Sequence, residues 1–145
     1  MMASVQHRMS SRPALAATAA SALAVAILGI WLLRTFDPSA AGSLFPSCVF
    51  HDLTGWYCPG CGITRALHAL AHFDLWRALA MNAFLVLSLP LLAAMALHGL
   101  TQRAWLPARI RRVLFDGRWW IAALVVFGVL RNLPGFAFLA PGGLL

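Results

Sequence analysis

Two uninterrupted runs without a charged side chain limit what this chain can fold into. Ala14 to Leu33 and Ala78 to Leu97 are each twenty residues long. As a helix rising 1.5 Å per residue, such a run covers about 30 Å, the thickness of a bilayer's hydrocarbon core. Composition points the same way: 61% of the chain is hydrophobic and 10% charged, against roughly 45–50% and about 25% in soluble domains. A soluble fold of 145 residues has too little interior to hide that surface, so the excess calls for lipid.

The first run carries Trp31 near its far end, where an amphipathic ring suits the interface, and stops at Arg34. Ser39-Ala40-Ala41 resembles a small-residue processing site, so a cleaved signal peptide is the rival reading. The apolar run exceeds the 7–15 residue core of a signal, and a retained helix is expected. The second run holds Asn82, Ser88 and Pro90. Asp74 is placed to cap it, and Pro90 is expected to kink it. A third run is interrupted: Trp119 and Trp120 mark an interface, the chain is apolar to Leu130, and Arg131-Asn132 then precede a mostly apolar ending.

The fold expected is therefore an all-α membrane protein with three transmembrane helices and one short interfacial or re-entrant helix after a Cys-x-x-Cys loop. Its segments are a cytoplasmic N-terminal segment 1–13, spans 14–33, 74–100 and 119–139, an outward cysteine loop 34–73, a basic cytoplasmic loop 101–118 and a tail 140–145. Within the loop, 63–72 reads as the short helix. Ile63, Ala66, Leu67, Leu70 and Ala71 share one face and Arg65, His68 and His72 the other. Ten residues cannot cross a bilayer, so this helix lies in the interface or dips back into the protein.

The formal charge of +7 comes from eleven arginines with no lysine, against four aspartates with no glutamate. That usage suggests a GC-rich bacterial genome, and hence a bacterial cytoplasmic (inner) membrane. Arginines at the ends of apolar helices set topology, and no nucleic-acid partner is expected. With the N-terminus inside, Arg8, Arg12, Arg103, Arg109, Arg111, Arg112 and Arg118 are cytoplasmic, and only Arg34, Arg65 and Arg77 lie opposite. The cysteine loop then faces outward. The expected partners are the lipid bilayer and a membrane protein or second copy, since three helices enclose little interior.

Cys48, Cys58 and Cys61 all fall in that loop. Four readings stand beside one another. A disulfide from Cys48 to Cys58 or Cys61 would staple an irregular segment, typically by about 2–4 kcal/mol, though it leaves one thiol over. Zinc is the second: Cys58-x-x-Cys61 has knuckle spacing, Cys48 adds a third thiolate, and His51, His68 or His72 could complete a tetrahedron. Thiol–disulfide exchange is the third, with Cys58 or Cys61 as nucleophile ahead of a helix N-terminus and Cys48 resolving the mixed disulfide. Packing alone is the fourth. No cofactor is required, and zinc is the one the residues allow. A non-enzymatic module with a stapled loop leads, with the oxidoreductase and the zinc-binding accessory protein as alternatives. Gly62 stands where c-type haem attachment needs His, and no phosphate loop, carboxylate pair or Ser-His-Asp set can be assembled.

His68 and His72 stand at i and i+4, a spacing that suits a metal and equally the wet face of an interfacial helix, which is the favoured reading. Arg131 either snorkels to the outer interface or points into the bundle. Inward, Asn82 is its natural neighbour.

The stretch Cys58-Pro59-Gly60-Cys61-Gly62-Ile63-Thr64-Arg65 resembles the signature of a bacterial membrane family, domain of unknown function 2752. Its pattern runs Cys-Pro-x-Cys-Gly-x-Thr-Arg, a short helix, an acidic residue and a long apolar helix with Asn near its start. Asp74 and Asn82 resemble the last two, Cys48 and Thr54-Gly55 an upstream cysteine and Thr-Gly step, and Arg131-Asn132-Leu133-Pro134 the family's close, over roughly 45–134. The resemblance implies a small integral membrane protein of unassigned role. It draws attention to Cys58, Pro59, Cys61, Gly62, Thr64 and Arg65. In this reading Thr64 caps the short helix and Arg65 meets a lipid phosphate or a loop carbonyl.

Overall fold

The computed structural model describes residues 3–40, 42–43, 45–101 and 107–144, with side chains from Ala17 onward. The side chains of Arg8 and Arg12, Ala41 of the processing-like triplet, Arg103 and the last residue of the tail lie outside the described residues. The described chain is all-helical, with no strand. In order it runs α1 (Ala3–Thr35), α2 (Val49–Thr54), α3 (Ile63–Ala71), α4 (Leu75–Thr101), α5 (Ala108–Phe115), α6 (Gly117–Leu130) and a 3-10 turn (Pro134–Leu139).

Among the described residues two helices are long and apolar enough to cross a membrane, Ala17–Thr35 and Leu75–Thr101. The pair α5 and α6 is bent by 64° and makes a third only if both count as one span. Of the apolar stretch expected over 119–139, residues 119–130 belong to α6, whose 14 residues rise about 21 Å, and Pro134–Leu139 forms the 3-10 turn. Pro134 cannot donate to the helix ladder, and Asn132 Nδ2 takes the Gly128 carbonyl at 2.7 Å, closing the helix at Arg131. The expected basic loop is partly helical, because α5 carries Arg109, Arg111 and Arg112 on one short amphipathic turn.

The core is small and sits where α3 crosses α4. Ala66 and Ala69 of α3 pack against Ala78, Met81 and Val86 of α4. Small side chains let the backbones approach closely, as membrane helices require. Asp74 caps α4 as expected, its Oδ1 accepting from Arg77 N at 2.9 Å. The break in α4 lies at Asn82, not at the expected Pro90: Asn82 leaves helical dihedrals at φ −156° and ψ 91°. Its Oδ1 accepts from Leu85 N at 2.9 Å, so Asn82 acts as the N-cap of the remainder of the helix. The first residues of α4 are thereby uncoupled from the rest, and a carbonyl released there pairs with the C-terminal segment: Ala80 O accepts from Gly142 N at 2.9 Å.

The C-terminal end of α1 engages α3. His68 Nδ1 meets the Leu33 carbonyl oxygen, and Arg34 Nε donates to Ala71 O at 2.8 Å. Each helix thus satisfies a carbonyl at the end of the other, where unpaired backbone acceptors remain.

Candidate functional site

The loop between α1 and α3 is shaped by two glycine-dependent turns. Thr54 Oγ1 donates to Phe50 O at 2.6 Å, and Gly55, left-handed at φ 74°, closes α2 through its N–H to His51 O. Cys48 stands at the N-cap position of α2 with an extended backbone, so the start of this helix fixes where its thiol points. His51 stacks on Tyr57 with ring centroids 4.4 Å apart, tying α2 to the residue just before the Cys58–Cys61 turn.

Cys58 to Cys61 forms a tight turn, Cys61 N donating to Cys58 O at 3.0 Å. Gly62 then takes φ 83° as the N-cap of α3, a conformation that side-chain-bearing residues adopt at a cost. The same glycine passes against α4, where a Cβ would lie 2.4 Å from Met81 O. Thr64 does not cap α3: the N-cap is Gly62 and makes no side-chain bond. Thr64 lies within the first turn, where it borders the cleft.

Three buried or half-buried side chains hold this turn from below. Asn82, 1% exposed, donates through Nδ2 to Pro59 O at 3.0 Å and Cys61 O at 3.1 Å. Arg131, also 1% exposed, donates through Nη1 to Cys58 O at 2.9 Å, Cys61 O at 3.1 Å and Pro59 O at 3.3 Å. Asn132 pairs with the backbone of Tyr57 as a neighbouring strand would, Oδ1 accepting from Tyr57 N at 2.8 Å and Nδ2 donating to Tyr57 O at 2.9 Å. Arg131 therefore points inward and shares its carbonyls with Asn82. Gly128 leaves room for Pro59, whose Cγ would lie 2.7 Å from a Cβ placed there.

These contacts bring the three thiols together. Cys58 Sγ lies 3.2 Å from Cys61 Sγ and 3.4 Å from Cys48 Sγ, and all three sulfurs fall within 4.8 Å of one another. None is bridged. The Cys58 N–H donates to Cys61 Sγ at 3.2 Å. Burial pushes the Cys61 thiol up to about 12, while the His51 backbone N–H holds the Cys48 thiol below its ordinary value. A cleft of about 560 Å³ opens beside them, bordered by Cys48, His51, Asp52, Cys61, Thr64 and Arg65 among others.

Not every candidate converges here. The His68 and His72 rings lie 4.6 Å apart, tilted by 50°, at the junction with α1. Among the described residues no histidine or carboxylate joins the sulfur cluster within the same radius. His51 borders the cleft with a buried, unpartnered Nδ1. Asn132 is the residue that sequence reading underrated. Its place beside Arg131 in the family's ending was visible, but pairing with Tyr57, 75 positions away, was not.

With three thiols packed on a carbonyl turn and helices of membrane length around it, the chain has the form of a small membrane module built about a cysteine loop. Residues 48–96 match the family described as "Protein of unknown function (DUF2752)", and over that segment the family expected from the motif is the one found. The match takes in Cys48, the Cys-Pro-x-Cys loop, α3 and most of α4, and ends before Arg131. No curated protein and no solved structure matches this chain.

Proposed function

We propose that this protein is a multi-pass membrane module whose loop holds a divalent metal, zinc or a zinc-like ion, through Cys48, Cys58 and Cys61. The observation that carries the reading is the approach of three unbridged sulfurs to within 4.8 Å of one another. Tetrahedral zinc with bonds of about 2.3 Å holds its sulfurs roughly 3.8 Å apart; the sulfurs here, 3.2 and 3.4 Å apart in two pairs and all within 4.8 Å, reach that spacing by changes of at most about 1 Å. The N–H donated to Cys61 Sγ supports a thiolate there, and a metal displaces the proton that burial otherwise retains. The cleft leaves the fourth corner to a water or to His51.

The geometry favours this over a disulfide staple. A staple organises a loop that lacks other constraints, whereas Arg131, Asn82 and Asn132 already clamp this one through its backbone. Thiol–disulfide exchange stays as the second reading, resting on the 3.2 Å approach of Cys58 and Cys61 Sγ. In either reading the chain crosses a bacterial inner membrane three times, α5 and α6 serving as the bent last crossing. The arginine distribution supports a cytoplasmic N-terminus and an outward cysteine loop. Arg65, exposed on α3, then meets lipid phosphate, and a membrane protein or second copy covers the open helix faces.

The test is metal content. The full chain, purified in detergent under reducing conditions, is expected to carry roughly one zinc-class ion by mass spectrometry, and Cys48→Ser, Cys58→Ser and Cys61→Ser each to lose it. Wild-type protein with three freely alkylated thiols and no metal sinks the reading. In protein purified without reductant, two thiols that appear only after reduction transfer support to a disulfide, as staple or redox pair.

A further inference from the structure

Resting on the metal reading above, we propose that Arg131 is the counter-charge of the cysteine loop. Its guanidinium neutralises the single negative charge left when three thiolates hold one divalent ion. Binding releases three thiol protons to water, so a dication and three neutral thiols become an anionic cluster of charge −1. A water or imidazole in the fourth corner leaves that charge unchanged.

A guanidinium 1% exposed is costly unless a charge offsets it. Only Nη1 is engaged, with the carbonyls of Cys58, Pro59 and Cys61, and buried Nε and Nη2 have no partner. The ring faces of Phe127, 4.8 Å away, and Tyr57, 5.8 Å away, complete its surroundings. Carbonyls and rings solvate the cation without neutralising it. The chain has no glutamate and four aspartates, and each is committed elsewhere. Asp37 accepts from Ser39 N, Asp52 from the Ser47 hydroxyl, Asp74 from Arg77 N and Asp116 from Arg118 N. The groups able to become anionic next to Arg131 are the Tyr57 phenol and the thiols of the loop it grips, and two of its three carbonyls belong to Cys58 and Cys61 themselves. One disulfide and one spare thiol would be neutral and leave the cation uncompensated. A cluster of three thiolates with a divalent ion matches it one for one.

Cobalt(II) is the probe, titrated into the metal-stripped full chain in detergent and followed by thiolate-to-cobalt charge-transfer absorption. Arg131→Gln is expected to weaken cobalt binding about 10–100-fold, the range for groups that support metal ligands from behind, with the same absorption per bound cobalt at saturation. Arg131→Lys, which keeps the charge and loses the planar fork, is expected to bind nearly as wild type. It carries the test alone if Arg131→Gln does not give a monodisperse protein. Asn82→Ala, which loosens the same carbonyls without changing charge, is expected to weaken cobalt less than Arg131→Gln does. Lysine as poor as glutamine, or wild-type affinity in Arg131→Gln, overturns the counter-charge and leaves the metal site standing. Wild-type protein that takes up no cobalt overturns both.

Discussion

Replacing Gly62 by alanine tests how closely the cysteine turn is pressed onto the broken helix. Gly62 has φ 83°, and an added Cβ would lie 2.4 Å from the backbone oxygen of Met81. A relaxed carbon–oxygen contact needs about 3.3 Å, so loop and helix must separate by roughly 0.9 Å along that direction. The bonds from Asn82 Nδ2 to Pro59 O and Cys61 O, now 3.0 and 3.1 Å, would then stretch to about 4 Å, beyond hydrogen-bonding range. Two bonds at about 1 kcal/mol each and about 1 kcal/mol for a left-handed alanine give a loss of ~3 kcal/mol. Gly60 is the internal comparison: a Cβ there meets Cys58 Sγ and Ile63 Cδ1 at 3.7 Å, an ordinary contact, so Gly60→Ala should be nearly silent. The assay is the fraction of detergent-purified protein that stays monodisperse after heating through a temperature series. Equal curves for Gly62→Ala and Gly60→Ala would refute the close approach from which the site is built.

Asn132→Ala removes both bonds to the Tyr57 backbone and should cost ~2 kcal/mol, with faster hydrogen exchange at the Tyr57 amide. Unchanged exchange would contradict the pairing. Asp116→Ala deletes the cap on α6, where the carboxylate accepts from Arg118 N at 3.0 Å. A loss of ~1 kcal/mol is expected, read as earlier thermal loss of helical circular dichroism. In reduced, metal-stripped protein a thiol reagent at neutral pH should modify Cys48 well before Cys61, because burial holds the Cys61 thiol up to about 12 and the Cys48 thiol is shifted down; the opposite order by peptide mass mapping refutes this. The same shift makes the Cys61 contribution to stability fully present below the unfolded thiol value of about 8.5. It is lost as pH rises toward 12. Cys61→Ala should flatten that alkaline limb of a pH–stability curve.

How much of this was legible in the chain depends on the range of the interaction. The two long apolar helices follow from length and hydropathy alone, because a lipid-facing helix must satisfy its backbone internally whatever packs beside it. The short helix at Ile63–Ala71 and the cap at Asp74 are local too, set by side-chain periodicity and by a carboxylate one residue ahead of a helix. Where two local rules competed, sequence misled. Pro90 was the expected kink, yet the break fell at Asn82, whose amide bonds the loop and Leu85 N at once. Thr64 was the expected cap, yet Gly62 took that place because α4 passes too close for a side chain. The α-helical part of the third apolar run stops at Leu130 for a similar reason, since Asn132 closes the helix while binding a backbone far upstream. Sequence alone determined that helices of membrane length frame a cysteine-bearing loop. Only the tertiary structure decided that the three thiols meet over a buried, unpaired arginine, because Arg131 reaches the loop across more than seventy residues of chain, a distance that spacing in sequence does not encode.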